Sequence, residues 1–118
     1  MIGPGKLDRR IVLERATVTQ NDFNEDVESW GELAEVFAGR RDASASESYR
    51  AQEVGGQITV RFTIRWSQLV ADLNPRDRLR YGGRIYNITA VRETQRNRWL
   101  EVDAVARADI EAEDVGSP

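Results

Sequence analysis

Between Gln57 and Ser67 apolar and polar residues alternate without a break. Ile58, Val60, Phe62, Ile64 and Trp66 fall on one face, and Thr59, Arg61, Thr63 and Arg65 on the other. A period of two belongs to a β-strand with one face buried and the other turned to solvent or a partner. The same period predicts a first strand from Arg9 to Thr19, where Ile11 and Leu13 oppose Arg10, Val12 and Glu14. It also predicts a closing strand in which Leu100, Val102 and Ala104 oppose Trp99, Glu101 and Asp103. Glu32–Arg41 reads as a second strand, with Val36 and Ala38 against Phe37. A short helix is the competing assignment there, because Ala, Glu and Leu also favour helix. The segment before it, Gln20–Gly31, is polar and acidic and reads as a loop, with Trp30 folding back onto the sheet as a core aromatic.

The stretch DRLRYGGRIYNITAV, Asp77–Val91, carries a double glycine between two mixed segments. A phosphate cradle would need a helix after the glycines, so that backbone N–H groups and the helix dipole converge on the anion. An alternating, β-branched segment follows instead, so Gly82-Gly83 reads as a two-residue hairpin turn. That register pairs Tyr81 with Arg84, Leu79 with Tyr86 and Asp77 with Ile88 on one face, continued by Ala90. Arg78 with Asn87 and Arg80 with Ile85 lie on the other, continued by Thr89; a slip of one residue would destroy the separation. Gln68–Pro75 is a short helical turn or loop stopped by the proline, and a last hairpin turns near Arg96-Asn97. About six short strands result. The fold class expected is mainly β, a small antiparallel barrel, which limits exposed strand edges.

Residues 41–56 interrupt this pattern as a long excursion between the second and third strands. Ser44 and Glu47 have the spacing of a capping box, so a short helix from about Ala45 to Glu53 is expected, ended by Gly55-Gly56. Tyr49 would be its only large apolar group, too little to anchor it to a core. Connections this long in small domains are commonly functional or disordered.

The 118 residues suit one domain, with a flexible lead-in at 1–6 and an acidic tail at 108–118. No apolar run approaches the ~20 residues of a membrane span, and the N-terminus lacks the apolar core of a signal peptide. Synthesis in the cytoplasm is expected. The chain has no Cys and no His, which removes disulfides, the usual zinc sites and histidine or cysteine catalysis. No paired-carboxylate motif replaces them, so neither an enzyme nor a metal or other cofactor is expected.

The net charge of −3 is unevenly distributed. From Asp22 to Glu35 there are six acids and no base, whereas Arg61 to Arg98 holds nine Arg against Asp72, Asp77 and Glu93. Arg61 with Arg65, and Arg78 with Arg80, form rows on the outer strand faces. Such rows meet phosphates or a partner's carboxylates, or are simply solvated. Binding of single strands would add aromatics on that face for base stacking, and here Phe62, Trp66, Tyr81 and Tyr86 fall on the inner faces. Protein–protein contact is the better reading of the rows.

Several segments in this order resemble one family: LDRRIVLER, FAGRR, VRFTIRWS, RDRLRYGGRIYNITAVRE and RWLEVDA. From Leu7 to Ala106 the chain is similar to the head–tail joining proteins of long-tailed bacteriophages, also called head-closure or stopper proteins, with relatives in prophages and gene transfer agents. The resemblance implies a structural subunit of the virion neck and a homo-oligomeric ring; six and twelve copies are both compatible with a phage neck. The ring would sit between a portal or adaptor ring above and tail proteins below, with packaged double-stranded DNA held in the channel without regard to sequence. It further implies that the excursion points into that channel and gates it. The matching positions are Arg41, Ser44, Ser46, Glu47, Tyr49, Arg50 and Gln52, with Tyr49 and Arg50 the leading gate contacts. Arg61, Arg65, Arg78 and Arg80 would serve subunit or partner interfaces. The alternative from another class is a small barrel that binds single-stranded nucleic acid, favoured by the basic central strands.

Overall fold

Six antiparallel strands close into a barrel in the computed structural model, which describes residues 6–46 and 59–107. They are β1 (Arg9–Gln20), β2 (Asp26–Asp42), β3 (Val60–Arg65), β4 (Arg78–Tyr81), β5 (Arg84–Thr94) and β6 (Trp99–Ala106). Their order around the barrel is β1-β2-β3-β6-β5-β4, closed by pairing of β4 with β1. One 3-10 turn, Gln68–Val70, follows β3 and seals the interior with Val70. Most of the excursion, most of the lead-in and the acidic tail lie outside the described residues, as does Ile58.

The alternating residues supply the core. Ile11, Leu13, Val60, Phe62, Ile64, Leu79, Tyr86, Ile88, Leu100, Val102 and Ala104 are all buried inside. Phe62 sits among them edge-on to Tyr81 at 5.6 Å and to Tyr86 at 5.7 Å between ring centroids. Each large apolar side chain removed from water stabilises the fold by roughly 1.5–3 kcal/mol. The Gly82-Gly83 hairpin has the expected register: Tyr81 faces Arg84, Arg80 faces Ile85, Leu79 faces Tyr86 and Arg78 faces Asn87. Both glycines have positive φ, 62° and 81°, which a two-residue turn between twisted strands requires.

Three expectations are corrected. The Glu32–Arg41 segment is strand throughout, and β2 starts six residues earlier than that, at Asp26. The loop read over Gln20–Gly31 is therefore only a turn at Asn21–Glu25. The Asn21 side chain organises it, its Oδ1 accepting from the N–H of Phe23 at 2.8 Å and of Glu25 at 3.0 Å. Trp30 accordingly lies on a strand, half-buried, with the Arg78 guanidinium 4.2 Å from its ring centroid, and is no core aromatic. Finally, the register of β5 shifts between Ile88, opposite Ala104, and Ala90, opposite Asp103. This bulge exchanges the two faces of the strand, so Val91 rather than Ala90 continues the apolar face against the core.

The strands are not matched in length. β4 pairs with β1 only over Val12–Glu14, and β3 pairs with β2 only over Ala38–Asp42. Beyond the barrel, β1 and β2 continue paired with each other alone, from Arg15↔Gly31 to Gln20↔Asp26. Six residues of strand reach ~20 Å. The resulting two-stranded arm accounts for the elongated shape, 54 × 31 × 27 Å.

Candidate functional site

Two features leave opposite ends of β2: the excursion after Asp42 and the arm before Glu32. The excursion is pinned at its root. Ala43 N–H donates to the Thr59 carbonyl at 3.0 Å, and Thr59 N–H donates to the Ala104 carbonyl at 3.0 Å. The chain thus leaves and re-enters the barrel wall at one place. Arg41 lies on β2 opposite Arg61 and is exposed. Beside it, Arg40 is held by Asp42 at 3.0 Å and lies over the Tyr81 ring. The hydroxyls of Ser44 and Ser46 are 3.3 Å apart where the chain turns helical at Ala45-Ser46. Glu47, Tyr49, Arg50 and Gln52 lie outside the described residues.

The four arginines of the outer faces are brought together in pairs with unequal freedom. Arg61 donates to Asp103 at 2.7 Å, and Arg92 reaches the same carboxylate at 3.1 Å and Glu101 at 3.3 Å. Arg78 donates to Glu14 at 2.7 Å and stacks on Trp30, while the more exposed Arg80 meets the other Glu14 oxygen at 3.1 Å. Arg65 is exposed, its guanidinium 5.1 Å from the Trp99 ring centroid. A third cluster joins the arm to the barrel. Arg15, the first arm residue of β1, holds Asp77 through Nε and Nη2 at 3.0 Å each, and Asp72 at 3.1 and 3.2 Å. Its guanidinium holds the Asp72 carboxyl below the usual carboxylate range, chiefly by these hydrogen bonds.

Glu14, Asp77 and Asp103 are the buried acids of the described barrel, and each is matched by at least one arginine. Sequence reasoning missed them as a group. Arg61, Arg15 and Arg78 lie 42, 62 and 64 residues from them, so only the closed sheet makes those pairs, whereas Arg92 reaches Asp103 across the β5–β6 hairpin. The alternation did carry a signal for two of them, since Glu14 and Asp103 sit at outward positions where an acid faces an arginine row, whereas Asp77 lies on the loop before β4. Among the described residues no three His, Cys, Asp or Glu side chains gather as a metal site, and no helix is long and apolar enough to cross a membrane.

The model of the phage head completion proteins matches residues 2–107. The chain belongs to that family. This head completion protein also has the fold of protein SF1141 from Shigella flexneri 2a, solved in solution: the TM-score is 0.73 at 25% identity, over 90% of this chain and 97% of that one. A chain from the virion of a native gene transfer agent particle is similar at a TM-score of 0.57 and 28% identity, over 84% and 93%. No curated protein matches. The family makes the role a structural one in the head–tail region of a phage-like particle.

Proposed function

We propose that this head completion protein forms a ring at the neck, between the portal or adaptor and the tail. There it closes the head channel over packaged DNA and offers the tail its platform. The observation that carries this reading is the pinned excursion. The barrel wall is left and re-entered at one place, and the excursion between, 41–56, is rich in small and polar residues. Side chains of that size let several copies crowd around one axis. Arg41, Ser44 and Ser46 stand at the root of this gate, and Glu47, Tyr49, Arg50 and Gln52 along it. Contact with DNA would be to the phosphate backbone and independent of sequence.

The paired state of the central arginines supports this over binding of free single strands. Arg61, Arg78 and Arg92 already face carboxylates of their own chain, so the basic count of these strands overstates the charge available to phosphates. Arg65 and Arg80 are the members of the predicted rows with exposed charge to offer a neighbour.

Deleting Ser44–Gln52 tests the gate. The barrel is expected to keep its unfolding midpoint, while particles assembled with the deleted chain lose their packaged DNA. Unfolding of the barrel, or full DNA retention, would reject the assignment.

A further inference from the structure

The arm has a face that folding leaves unused. In its register Ala16 faces Trp30, Val18 faces Glu28 and Gln20 faces Asp26, so these side chains share one side. That side and the loop carrying Asn74 and Arg76 border an open groove of about 580 Å³, with Ala16, Val18, Glu28 and Trp30 on the arm side, the paired Arg15 and Asp77 at the joint and Arg76 on the loop side. Val18 is 64% exposed, and Phe23 at the arm's tip is 80% exposed. Asp22, Asp26, Glu28 and Glu32 carry charge along the arm, and no cation among the described residues pairs with them. The arm side of the groove is acidic and partly apolar, and it is that side, away from Arg76, that fits a basic loop of similar size.

The same chain has such a loop elsewhere. The β5–β6 turn, Gln95–Arg98, exposes Arg96 and Arg98, and among the described residues neither has a carboxylate within ion-pair reach. The turn is stiffly presented. Trp66 N–H donates to the Arg98 carbonyl at 2.8 Å, the Glu93 carboxylate accepts from the Asn97 N–H, and Gln95 and Asn97 take left-handed φ of 52° and 61°. Arg65 adds a third exposed guanidinium beside it, over Trp99.

We propose that the groove beneath the arm receives the β5–β6 turn of a second copy of this chain, Glu28 and Asp26 meeting Arg98 and Arg96. Groove and turn are different patches of one surface, so the contact is head-to-tail and propagates from copy to copy until it closes. The proposal rests on the ring reading and names the surfaces that build the ring.

The chain has no cysteine, which makes the test clean. Full-length protein carrying Glu28→Cys and Arg98→Cys is assembled into particles and oxidised. A ladder of covalent oligomers is expected from the doubly substituted chain, and no ladder beyond a dimer from either single substitution. Native mass spectrometry of detached necks counts copies independently. Several copies without a ladder would overturn the groove contact and leave the ring intact, whereas a single copy would overturn both. Charge reversal gives a second reading that needs no disulfide geometry. Glu28→Arg or Arg98→Glu alone should cut incorporation into particles about tenfold, the effect of one lost interfacial ion pair, and the two together should restore it. Equal loss in the double variant would overturn the pairing.

Discussion

The barrel and the arm are made from the same two strands and obey different rules. Up to Leu13 on β1 and from Ala34 on β2, the strands have a packed interior behind them and barrel neighbours alongside. Past Glu14, just beyond the register shift, the ladder runs on with neither. The barrel buries its apolar residues and matches each buried acid with an arginine. The arm leaves Val18, Phe23 and Val27 exposed and most of its acids unmatched. A lone two-stranded ribbon is marginal in water, and its open edges invite pairing with other chains. The difference separates two kinds of demand on the sequence. Barrel residues answer to folding, while those of the arm answer to whatever the arm touches.

Aromatic truncations should break that comparison most sharply if it is wrong. Phe62→Ala removes a ring with no exposure and leaves a cavity among Tyr81, Tyr86 and their neighbours. The expected cost is about 3–5 kcal/mol, read from urea unfolding. Phe23→Ala removes the same ring from the arm's tip and should change stability by less than about 0.5 kcal/mol while impairing assembly. A loss above about 1 kcal/mol at Phe23 would mean that the arm shares the barrel's core after all.

Buried acids give the next largest effect. Asp103 sits between Arg61 and Arg92, and Asp103→Ala leaves two cations without that carboxylate. Loss of one partner from a buried pair costs about 3–5 kcal/mol. The low end is expected, because Arg92 keeps Glu101 and is partly hydrated. Asp26→Ala on the arm should be close to neutral in the same unfolding experiment.

This division also explains what could be read from the sequence. The barrel's inner face was legible because period-two alternation survives wherever one face is dry, as in Val60–Ile64. The hairpin register was legible because Gly82-Gly83 admits few turns. The arm was legible only on β1, where the first strand reads on to Thr19. Both faces of Asp26–Ser29 meet water, so no alternation marks them, and the Asn and Asp residues of Gln20–Asp26 read as loop. The bulge at Ile88–Ala90 was equally silent, since one extra residue leaves composition unchanged and only the partner strand reveals it. The arginine rows were placed on the right faces, yet their occupancy by Glu14 and Asp103 depends on strands that meet only in the closed sheet. The family itself was legible in short segments of β1, β3 and the Gly-Gly hairpin. Of the proposed gate, Arg41, Ser44 and Ser46 fall within the described residues.

The smallest expected effect concerns the joint between the two regions. Arg15 begins the arm and holds Asp72 and Asp77 on the loop before β4, so this cluster ties the base of the arm to the barrel. The Asp72 carboxyl is held below its ordinary value of 3.8 by the hydrogen bonds from Arg15. A carboxyl lowered on folding stabilises the folded state above its unfolded pKa, and that contribution fades as pH falls through the folded value. Asp72→Asn removes the charge at every pH. Wild type should therefore be slightly more stable than the variant at pH 7, and the two should converge as the pH drops well below 3.8. Because Asp72 is exposed and Asp77 still holds Arg15, the gap should be small in global unfolding and clearer in the amide exchange of Thr17–Thr19 on the arm. A gap independent of pH would show that Asp72 acts through the loop's shape and not through its charge on Arg15.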